Sequence, residues 1–302
     1  EAIATKNIDI LHIEHLRAAH FNPVDRSIPS LFDSVDCLSS LFSQMAQKKK
    51  MPGRLIAAEE AWKLRRYEPK TAANFDRIII TSESEKKHFE KMHKGLEIDI
   101  VSNGVDCEYF APSDIQKKSH TIVFSGKMSY DPNSEAAAWF ASHVFPKVRL
   151  QIPDAEFIIV GSDPPASIRN LARIDGITVT GYVDDVRRYL QSAALAVAPM
   201  QVAVGVQNKV MEAMACGTPV IATPIVTRSF DPDTKGLLTA SSSPEMAALV
   251  VKLLNNPVEA HKTGNQARES MVLHYSWEAE TQKLEESYMK AINTFTSRKV
   301  EV

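Results

Sequence analysis

Apolar runs alternate with helix-like stretches from Thr121 to Ala222, and this alternation constrains the fold more than any other feature of the 302-residue chain. Strands are predicted at 121–124, 156–160, 177–180, 195–199 and 219–222, and helices at 134–150, 166–172, 184–192 and 209–215. The strands are continuous in apolar residues, as expected for strands covered on both faces. Strands and helices that alternate at this rhythm predict a doubly wound parallel sheet.

The chain before Thr121 shows the same alternation less completely. Strands are predicted at 8–13, 77–81 and 99–101, and helices at 36–47 and 57–67. The polar stretch 111–119 contains Pro112 and is predicted to be the linker between domains. A long amphipathic helix over 277–295 has no strand after it. We therefore expect two Rossmann-like α/β domains, over 1–115 and 116–275, and a C-terminal helix over 276–302 that packs back on the first domain.

Composition narrows the classes of function. The formal net charge of −2 indicates no need for a nucleic-acid partner, and the 44% hydrophobic content suffices for ordinary cores. The three cysteines are widely spaced and form no metal-binding pattern, which favours free thiols in a reducing compartment. No apolar run reaches the roughly 20 residues that a membrane span requires. We predict a cytoplasmic protein without a metal site.

A loop-to-helix segment over 205–217 concentrates residues that can bind a nucleotide. The N–H groups at the start of the predicted helix favour a phosphate. Gly205 permits close backbone approach, Lys209 supplies a positive charge, and Glu212 lies on the same helix face, where it can accept hydrogen bonds from a ribose diol. The candidate donor-binding residues here are Gly205, Val206, Gln207, Asn208, Lys209 and Glu212. A plain amphipathic helix with a solvated Lys and Glu is the alternative.

A second candidate segment is the turn after the strand predicted at 121–124. Such turns lie at the carboxyl edge of a parallel sheet, where ligands of open α/β sheets bind. Gly126 permits close backbone approach there, and Lys127 can pair with a pyrophosphate. A lysine on a solvated loop is the alternative.

The stretch QNKVMEAMACGTPVIAT, residues 207–223, resembles the donor-site signature of retaining glycosyltransferase family 4, whose fold is GT-B. It is most similar to a subgroup of exopolysaccharide-type sugar transferases. Further family segments are similar to Gly126-Lys127 and to the NGVD stretch at 103–106. The three segments occur along this chain in the same order as in the family. The resemblance implies a hexosyltransferase that moves a sugar from a nucleotide-diphosphate sugar to a glycan or lipid-linked acceptor in polysaccharide biosynthesis. It implies no cofactor beyond the donor substrate.

The chain departs from the family pattern in three places. Family members usually carry a Glu eight residues before the second Glu, where this chain has Val204, which bears on sugar selection more than on nucleotide binding. A second basic residue often follows Lys127, and Asn133 or a neighbour occupies that place here. Members of the family commonly have additional residues before the segment that corresponds to the start of this sequence. The resemblance therefore implies an incomplete first domain, and a chain that by itself binds a nucleotide diphosphate but transfers sugar slowly or not at all.

The catalytic candidates come from the segment Asp9–Arg17, which resembles the family strand that ends in a histidine on the catalytic face. The family places a second His two residues after the first. Glu14 stands at that place in this chain, and His15 follows it. We expect His15 to face the reacting sugar, with Glu14 beside it. A histidine that is merely satisfied at a strand end is the alternative.

Basic residues cluster around the helix pair predicted at 36–47 and 57–67. They are Lys48, Lys49, Lys50, Arg54, Lys63, Arg65 and Arg66. Either a peripheral contact with the inner face of the membrane or a solvated helix face accounts for such a cluster. Two other functions also stay open: a nucleotide-sugar epimerase of the same fold, and a non-catalytic protein that binds a nucleotide sugar.

Overall fold

The computed structural model describes residues 7–23, 26–48 and 50–300, the last without its side chain. The chain divides into two compact units. Unit 1 comprises residues 1–103, 204–206 and 278–302, and unit 2 comprises residues 104–203 and 207–277.

The described residues form ten strands: β1 (Leu11–Glu14), β2 (Ser30–Asp33), β3 (Arg77–Ile80), β4 (Ile98–Ile100), β5 (Lys118–Ser125), β6 (Glu156–Val160), β7 (Ile177–Gly181), β8 (Ala193–Ala198), β9 (Val220–Ala222) and β10 (Leu237–Thr239). The helices are α1 (Leu38–Lys48), α2 (Gly53–Ala72), α3 (Glu83–Met92), α4 (Asp131–Trp139), α5 (Phe145–Arg149), α6 (Ala166–Arg169), α7 (Arg187–Ser192), α8 (Asn208–Ala215), α9 (Pro224–Thr227), α10 (Ser243–Leu254), α11 (Pro257–His274) and α12 (Trp277–Val300). Short 3₁₀ turns lie at Ala19–Phe21 and Asn170–Arg173.

Unit 1 contains a four-stranded parallel sheet in the order β1-β2-β3-β4. Its core is built from Phe32, Ile78, Ile80 and Phe89, which are all buried. Helices α1 and α2 form the connection from β2 to β3 and pack against each other.

The part of α12 that belongs to unit 1 is held to the sheet by polar contacts. The Glu280 carboxylate accepts a hydrogen bond from the Ser102 N–H at 2.7 Å, and the Lys290 ammonium donates to Asp99 at 2.9 Å. Burial raises the pKa of Glu280, which the paired Lys283 opposes. These contacts join residues nearly 200 positions apart in sequence to one sheet.

Unit 2 contains a six-stranded parallel sheet in the order β10-β9-β8-β5-β6-β7. The chain lays down β5, β6 and β7 toward one edge and then returns to add β8, β9 and β10 on the other side of β5. The strand order therefore reverses between β5 and β8. All six residues of β8 are buried, as a central strand covered on both faces requires.

The predicted α/β class with parallel sheets is confirmed, and the strand predicted at 156–160 coincides with β6. The helix predicted at 134–150 differs. It begins at Asp131 and is interrupted by a π-helical turn over Phe140–Val144. Pro146 follows this turn and has no N–H to donate, and a proline ring displaces the carbonyl four residues earlier. The wider turn accommodates that displacement.

The helix predicted at 184–192 is shorter in the structure. Helix α7 begins three residues later, at Arg187, and the Asp185 carboxylate accepts a hydrogen bond from the Arg187 N–H at 2.9 Å. The sequence pattern also missed β2, which has only four residues and lies between β1 and β3. A four-residue buried strand carries too little periodicity to be told from a loop.

Candidate functional site

The reversal of strand order in unit 2 sets the position of the candidate site. In open α/β sheets, ligands bind outside the carboxyl ends of the strands at the point where the order reverses. Here β5 ends at Ser125 and is followed by Gly126-Lys127, and β8 ends at Ala198 and leads through a loop to α8. Two of the predicted donor-binding segments therefore leave neighbouring strands at the same edge of the sheet.

The turn after β5 requires a glycine. Gly126 has φ of 153°, and its N–H donates to the Val160 carbonyl at 3.0 Å. A Cβ atom at this position would lie 2.8 Å from Asn133 Nδ2 and 3.1 Å from Lys209 Cε. Gly126 thus allows the side chains of two helices, α4 and α8, to approach the end of β5.

Asn133 connects the two predicted segments. Its side-chain nitrogen donates to the Lys127 carbonyl at 2.9 Å, and its side-chain oxygen accepts a hydrogen bond from Lys209 Nζ at 2.8 Å. Asn133 is buried, so these partners satisfy an amide that is removed from water. In the sequence, Asn133 stands near the position where related transferases often carry a second basic residue. In the fold, its side chain positions Lys209.

Lys209 has the electrostatic character of an anion-binding group. Burial lowers its pKa to about 8, and the nearby Glu212 carboxylate opposes that shift. Burial also raises the pKa of Glu212, and Lys209 opposes the change. A half-buried ammonium that is incompletely neutralised is stabilised by an incoming anion, because the anion replaces the lost hydration. Lys127, in contrast, is exposed.

The start of α8 adds backbone donors to this site. Gln207 is the N-cap residue of α8, and its backbone is extended. The Gln207 side-chain oxygen lies 3.5 Å from Lys209 Nζ, and Asn208 is exposed at the first helical position. The first N–H groups of a helix have no intrahelical acceptor and carry the positive end of its dipole. The structure therefore brings Gly126, Lys127, Gln207, Asn208, Lys209 and Glu212 together within unit 2.

Gly205 and Val206 belong to unit 1 and are not grouped with the other predicted donor-binding residues. Gly205 has φ of 60°, and a Cβ atom there would lie 2.9 Å from Thr81 Oγ1 and 3.3 Å from Asp36 Oδ1. Val206 is buried. The conformation of Gly205 therefore serves close packing against the segments that follow β2 and β3.

The catalytic candidates lie at the end of β1. Glu14 is the last residue of the strand and is exposed. His15 has φ of 70°, which is uncommon for a residue other than glycine, and its Nδ1 atom accepts a hydrogen bond from the Arg17 N–H at 3.2 Å. Strained backbone of this kind concentrates at functional sites.

Asp36 is a residue that the sequence reasoning missed. It is half-buried two positions after Ser34, and burial raises its pKa while His15 opposes that rise. The preceding Val35 has φ of 59°, a rare value for a β-branched residue. The left-handed backbone of His15 and of Val35 points to the pair His15 and Asp36 as a candidate functional pair. That conformation is visible only in the fold.

Buried Glu85 secures the segment that carries Asp36. Its carboxylate accepts hydrogen bonds from the Cys37 N–H at 3.0 Å and from Thr81 Oγ1 at 2.7 Å. Burial raises the pKa of Glu85, and the hydrogen bond from Thr81 opposes that shift.

Among the described residues, no group of three His, Cys, Asp or Glu side chains converges as metal ligands would. Asp231-Pro232-Asp233 has the spacing of an Asp-x-Asp motif, but one Asp231 oxygen accepts the Asp233 N–H at 2.8 Å and so closes a turn. Within the described part of the chain, no helix has the length and apolar character needed to cross a bilayer.

Curated relatives match most of this chain at low identity. D-inositol 3-phosphate glycosyltransferase of Mycobacterium marinum is 24% identical over 250 residues, which cover 74% of this chain and 52% of the relative. The protein of the same name from Mycobacterium avium is 25% identical over 250 residues, covering 74% of this chain and 57% of the relative. The chain thus spans about half the length of the curated relatives it matches.

Solved structures share the fold at lower identity. Sucrose-phosphate synthase from Thermosynechococcus elongatus superposes with a TM-score of 0.74 at 20% identity, covering 95% of this chain and 74% of that protein. Anabaena HepE in complex with UDP and glucose superposes with a TM-score of 0.66 at 14% identity, covering 92% of this chain and 77% of HepE. The two parallel sheets therefore belong to the GT-B architecture of these neighbours.

The model of the family Glycosyl transferases group 1 matches residues 119–256, which include Gly126, Lys127, Lys209 and Glu212. Residues 119–256 are thus similar to a group 1 glycosyltransferase domain.

Proposed function

We propose that unit 2 binds a nucleotide-diphosphate sugar and that the protein transfers its sugar to a glycan or lipid-linked acceptor in polysaccharide biosynthesis. On this proposal it is a retaining family 4 hexosyltransferase of the exopolysaccharide type, located in the cytoplasm. The observation that carries the proposal is the hydrogen-bonded connection of Lys209, Asn133 and the Lys127 backbone where the strand order reverses. Domains 116–275 and 1–115 would be the donor and acceptor sides, with helix 276–302 on the acceptor side.

The charges at this edge suit a diphosphate. Lys209 is held by Asn133 and has lost part of its hydration, and Lys127 is exposed at the adjoining turn. Together with the N–H groups at the start of α8, these ammonium groups would stabilise the charge that develops on the leaving diphosphate. The positive charge needed by the leaving group is therefore available from the chain itself. We accordingly propose transfer without a cofactor and expect activity to persist in EDTA.

Glu212 is the proposed ligand of the ribose hydroxyls. It lies one turn beyond Lys209 on α8, and burial raises its pKa, so hydrogen-bond donors from a ribose diol would help to stabilise the carboxylate. Structures of HepE contain UDP or UDP-glucose, and a structure of TarM contains UDP. UDP and UDP-glucose are therefore the first ligands to test.

His15, with Glu14 beside it, is proposed to act on the sugar from the acceptor side. Asp36 joins this proposal because its carboxylate interacts electrostatically with His15 at the same end of the sheet. The two groups offer a hydrogen-bonding imidazole and a negative charge of the kind that stabilises a positively charged sugar in the transition state.

Calorimetric titration of UDP into the purified chain tests the donor site. We expect binding that is weakened about tenfold or more by Lys209→Ala and by Glu212→Ala, since a charge-assisted hydrogen bond contributes about 1.5–3 kcal/mol. Lys262→Ala is the matched control, because Lys262 is an exposed lysine on another helix of unit 2. Unchanged affinity in both site variants, with circular dichroism unaltered, would reject the proposed site.

Product analysis with UDP-glucose and glycan or lipid acceptors tests the reaction. Release of UDP together with a glycosylated acceptor of retained anomeric configuration supports the proposal. Conversion of the sugar without release of UDP would identify an epimerase instead. The chain by itself is expected to transfer sugar slowly or not at all, so the test includes a preparation to which the upstream region of a relative is added. Tight UDP binding without any turnover by that preparation, over a broad acceptor panel, would identify a non-catalytic binding protein.

A further inference from the structure

Helix α2 exposes large apolar side chains on one side. Leu55, Ile56, Trp62 and Tyr67 are 60%, 62%, 58% and 52% exposed, and Met51 in the turn before the helix is 63% exposed. We call the surface formed by these five residues the α2 outer face. Clustered exposed apolar residues of this kind mark interaction sites more often than isolated ones.

The helical repeat explains why these side chains share one side. Ala57, Ala61, Glu68 and Ala72 are buried, and they recur at the spacing of the helix face that points into unit 1. Pro69, near the end of the helix, is also buried, although it lies two turns beyond Trp62 on the same side. The exposed apolar residues lie on the opposite side of the same helix. Since the buried side already supplies the contacts that hold α2 in place, the α2 outer face is not needed for the folding of unit 1.

Positive charges surround the α2 outer face. Exposed basic residues on the same hairpin are Lys48, Lys50, Arg54, Lys63, Arg65, Arg66 and Lys70. Lys49, the remaining member of the predicted basic cluster, lies outside the described residues. Glu59 and Glu60 both pair with Lys63, so these two acids offset only part of the charge. The Arg66 guanidinium lies 3.8 Å from the centroid of the Trp62 ring.

We propose that the α2 outer face docks on an anionic bilayer surface, with Leu55, Ile56 and Trp62 in the headgroup region and the surrounding cations on anionic headgroups. Tryptophan and tyrosine favour this interface because their rings are apolar with one polar atom. Lysine and arginine extend their charged ends from apolar stems to the headgroups. The inference is independent of the donor site in unit 2.

Charge favours a bilayer over a second copy of this chain. A two-fold contact between two α2 outer faces would set the same cations against one another, with two partly paired acids to offset them. An anionic surface instead complements the exposed cations around the α2 outer face. Each Lys or Arg near such a surface contributes about 1 kcal/mol, or roughly fivefold in partitioning.

Vesicle sedimentation with the full chain tests the proposal. Vesicles of phosphatidylcholine alone are compared with vesicles that also contain phosphatidylglycerol. Variant L55Q/I56Q/W62Q removes the apolar contact, and variant K50Q/R54Q/K70Q removes the charge. The matched controls are L150Q/V258Q/L273Q and R173Q/K235Q/K262Q, which alter exposed residues of unit 2.

We expect the wild-type chain to sediment with phosphatidylglycerol vesicles, and not with phosphatidylcholine alone, and to be released at high salt because surface charges are screened. Each α2 variant should lower the partition coefficient on the order of a hundredfold, whereas the controls should leave it unchanged. A vesicle-induced blue shift of tryptophan emission should be present in the wild type and absent in W62F.

Three results would overturn the proposal. The first is a wild-type chain that stays in the supernatant. The second is equal loss of binding in the α2 variants and the controls. The third is a change from dimer to monomer by light scattering in L55Q/I56Q/W62Q without any change in vesicle binding, which would assign the face to a second copy.

Discussion

The Lys209 ammonium donates a hydrogen bond to the Asn133 side-chain oxygen across 2.8 Å, although the two residues are 76 positions apart in sequence. The same amide donates to the Lys127 carbonyl at 2.9 Å. One buried asparagine thus sets the position of both the lysine of α8 and the backbone turn after β5. This connection joins the two segments of the proposed donor site, so that they form one site rather than two separate loops.

Replacing Asn133 should therefore disturb Lys209. In Asn133→Ala the Lys209 ammonium loses its shorter hydrogen bond and the Lys127 carbonyl loses its donor, which should cost about 1–3 kcal/mol in the free energy of unfolding. UDP binding should weaken as well. Denaturant titration of Asn133→Ala, Lys209→Met and the double variant should show coupling of about 1 kcal/mol. Ser134→Ala, at the next and half-buried position of α4, is the control, and purely additive effects would contradict the connection.

The depressed pKa of Lys209 predicts how UDP binding depends on pH. The free protein loses this charge as the pH rises through about 8, whereas a bound diphosphate stabilises the charged form. Affinity should therefore fall above a pH of about 8, by at most tenfold per pH unit, and binding should take up a proton. Calorimetry in two buffers of different ionisation enthalpy measures that uptake. It should vanish in Lys209→Met, and uptake that persists in this variant would assign the proton to another group.

Gly126→Ala should damage the site through sterics. The added methyl would lie 2.8 Å from Asn133 Nδ2, so Asn133 and Lys209 must shift, at a cost of about 1–3 kcal/mol. UDP affinity should fall together with the free energy of unfolding. Gly181→Ala is the control, since Gly181 has φ of 71° but nothing lies within 4 Å of its added Cβ. Equal loss of UDP affinity in both variants would show that backbone strain, not contact with Asn133, is the cause.

His15→Ala and Asp36→Asn should separate binding from transfer. Both residues lie in unit 1, whereas the proposed nucleotide ligands of α8 lie in unit 2. UDP affinity should be unchanged, while transfer in an active preparation should fall about 10²–10⁴-fold, the usual contribution of a positioned acid or base. Initial rates at saturating UDP-glucose measure the loss. His261→Ala, an exposed histidine of α11, should retain full activity, and normal turnover by His15→Ala would remove it from the mechanism.

Much of the fold was predictable because local sequence patterns indicate its strands and helices. The strand at 156–160 and helix α8 follow from apolar runs and helical periodicity, which act over a few residues. The start of α10 also carries a local signal, since the Ser242 hydroxyl accepts a hydrogen bond from the Glu245 N–H at 3.3 Å and the Glu245 carboxylate accepts one from the Ser241 N–H at 2.7 Å. Gly126 and Lys209 could be predicted as site residues because a strand-to-helix turn in a parallel sheet already indicates a ligand-binding edge.

Local sequence patterns were enough to predict the α/β class, the parallel sheets and the two segments that carry Lys127 and Lys209. That Asn133 joins those segments, and that Asp36 interacts electrostatically with His15, follows from the folded arrangement alone. The exposure of Leu55 and Trp62 on α2 likewise became visible only in the fold. The physical reason is the range of the interactions. Periodicity and turn chemistry act between neighbours, whereas these contacts and exposures depend on which distant segments the sheet brings together.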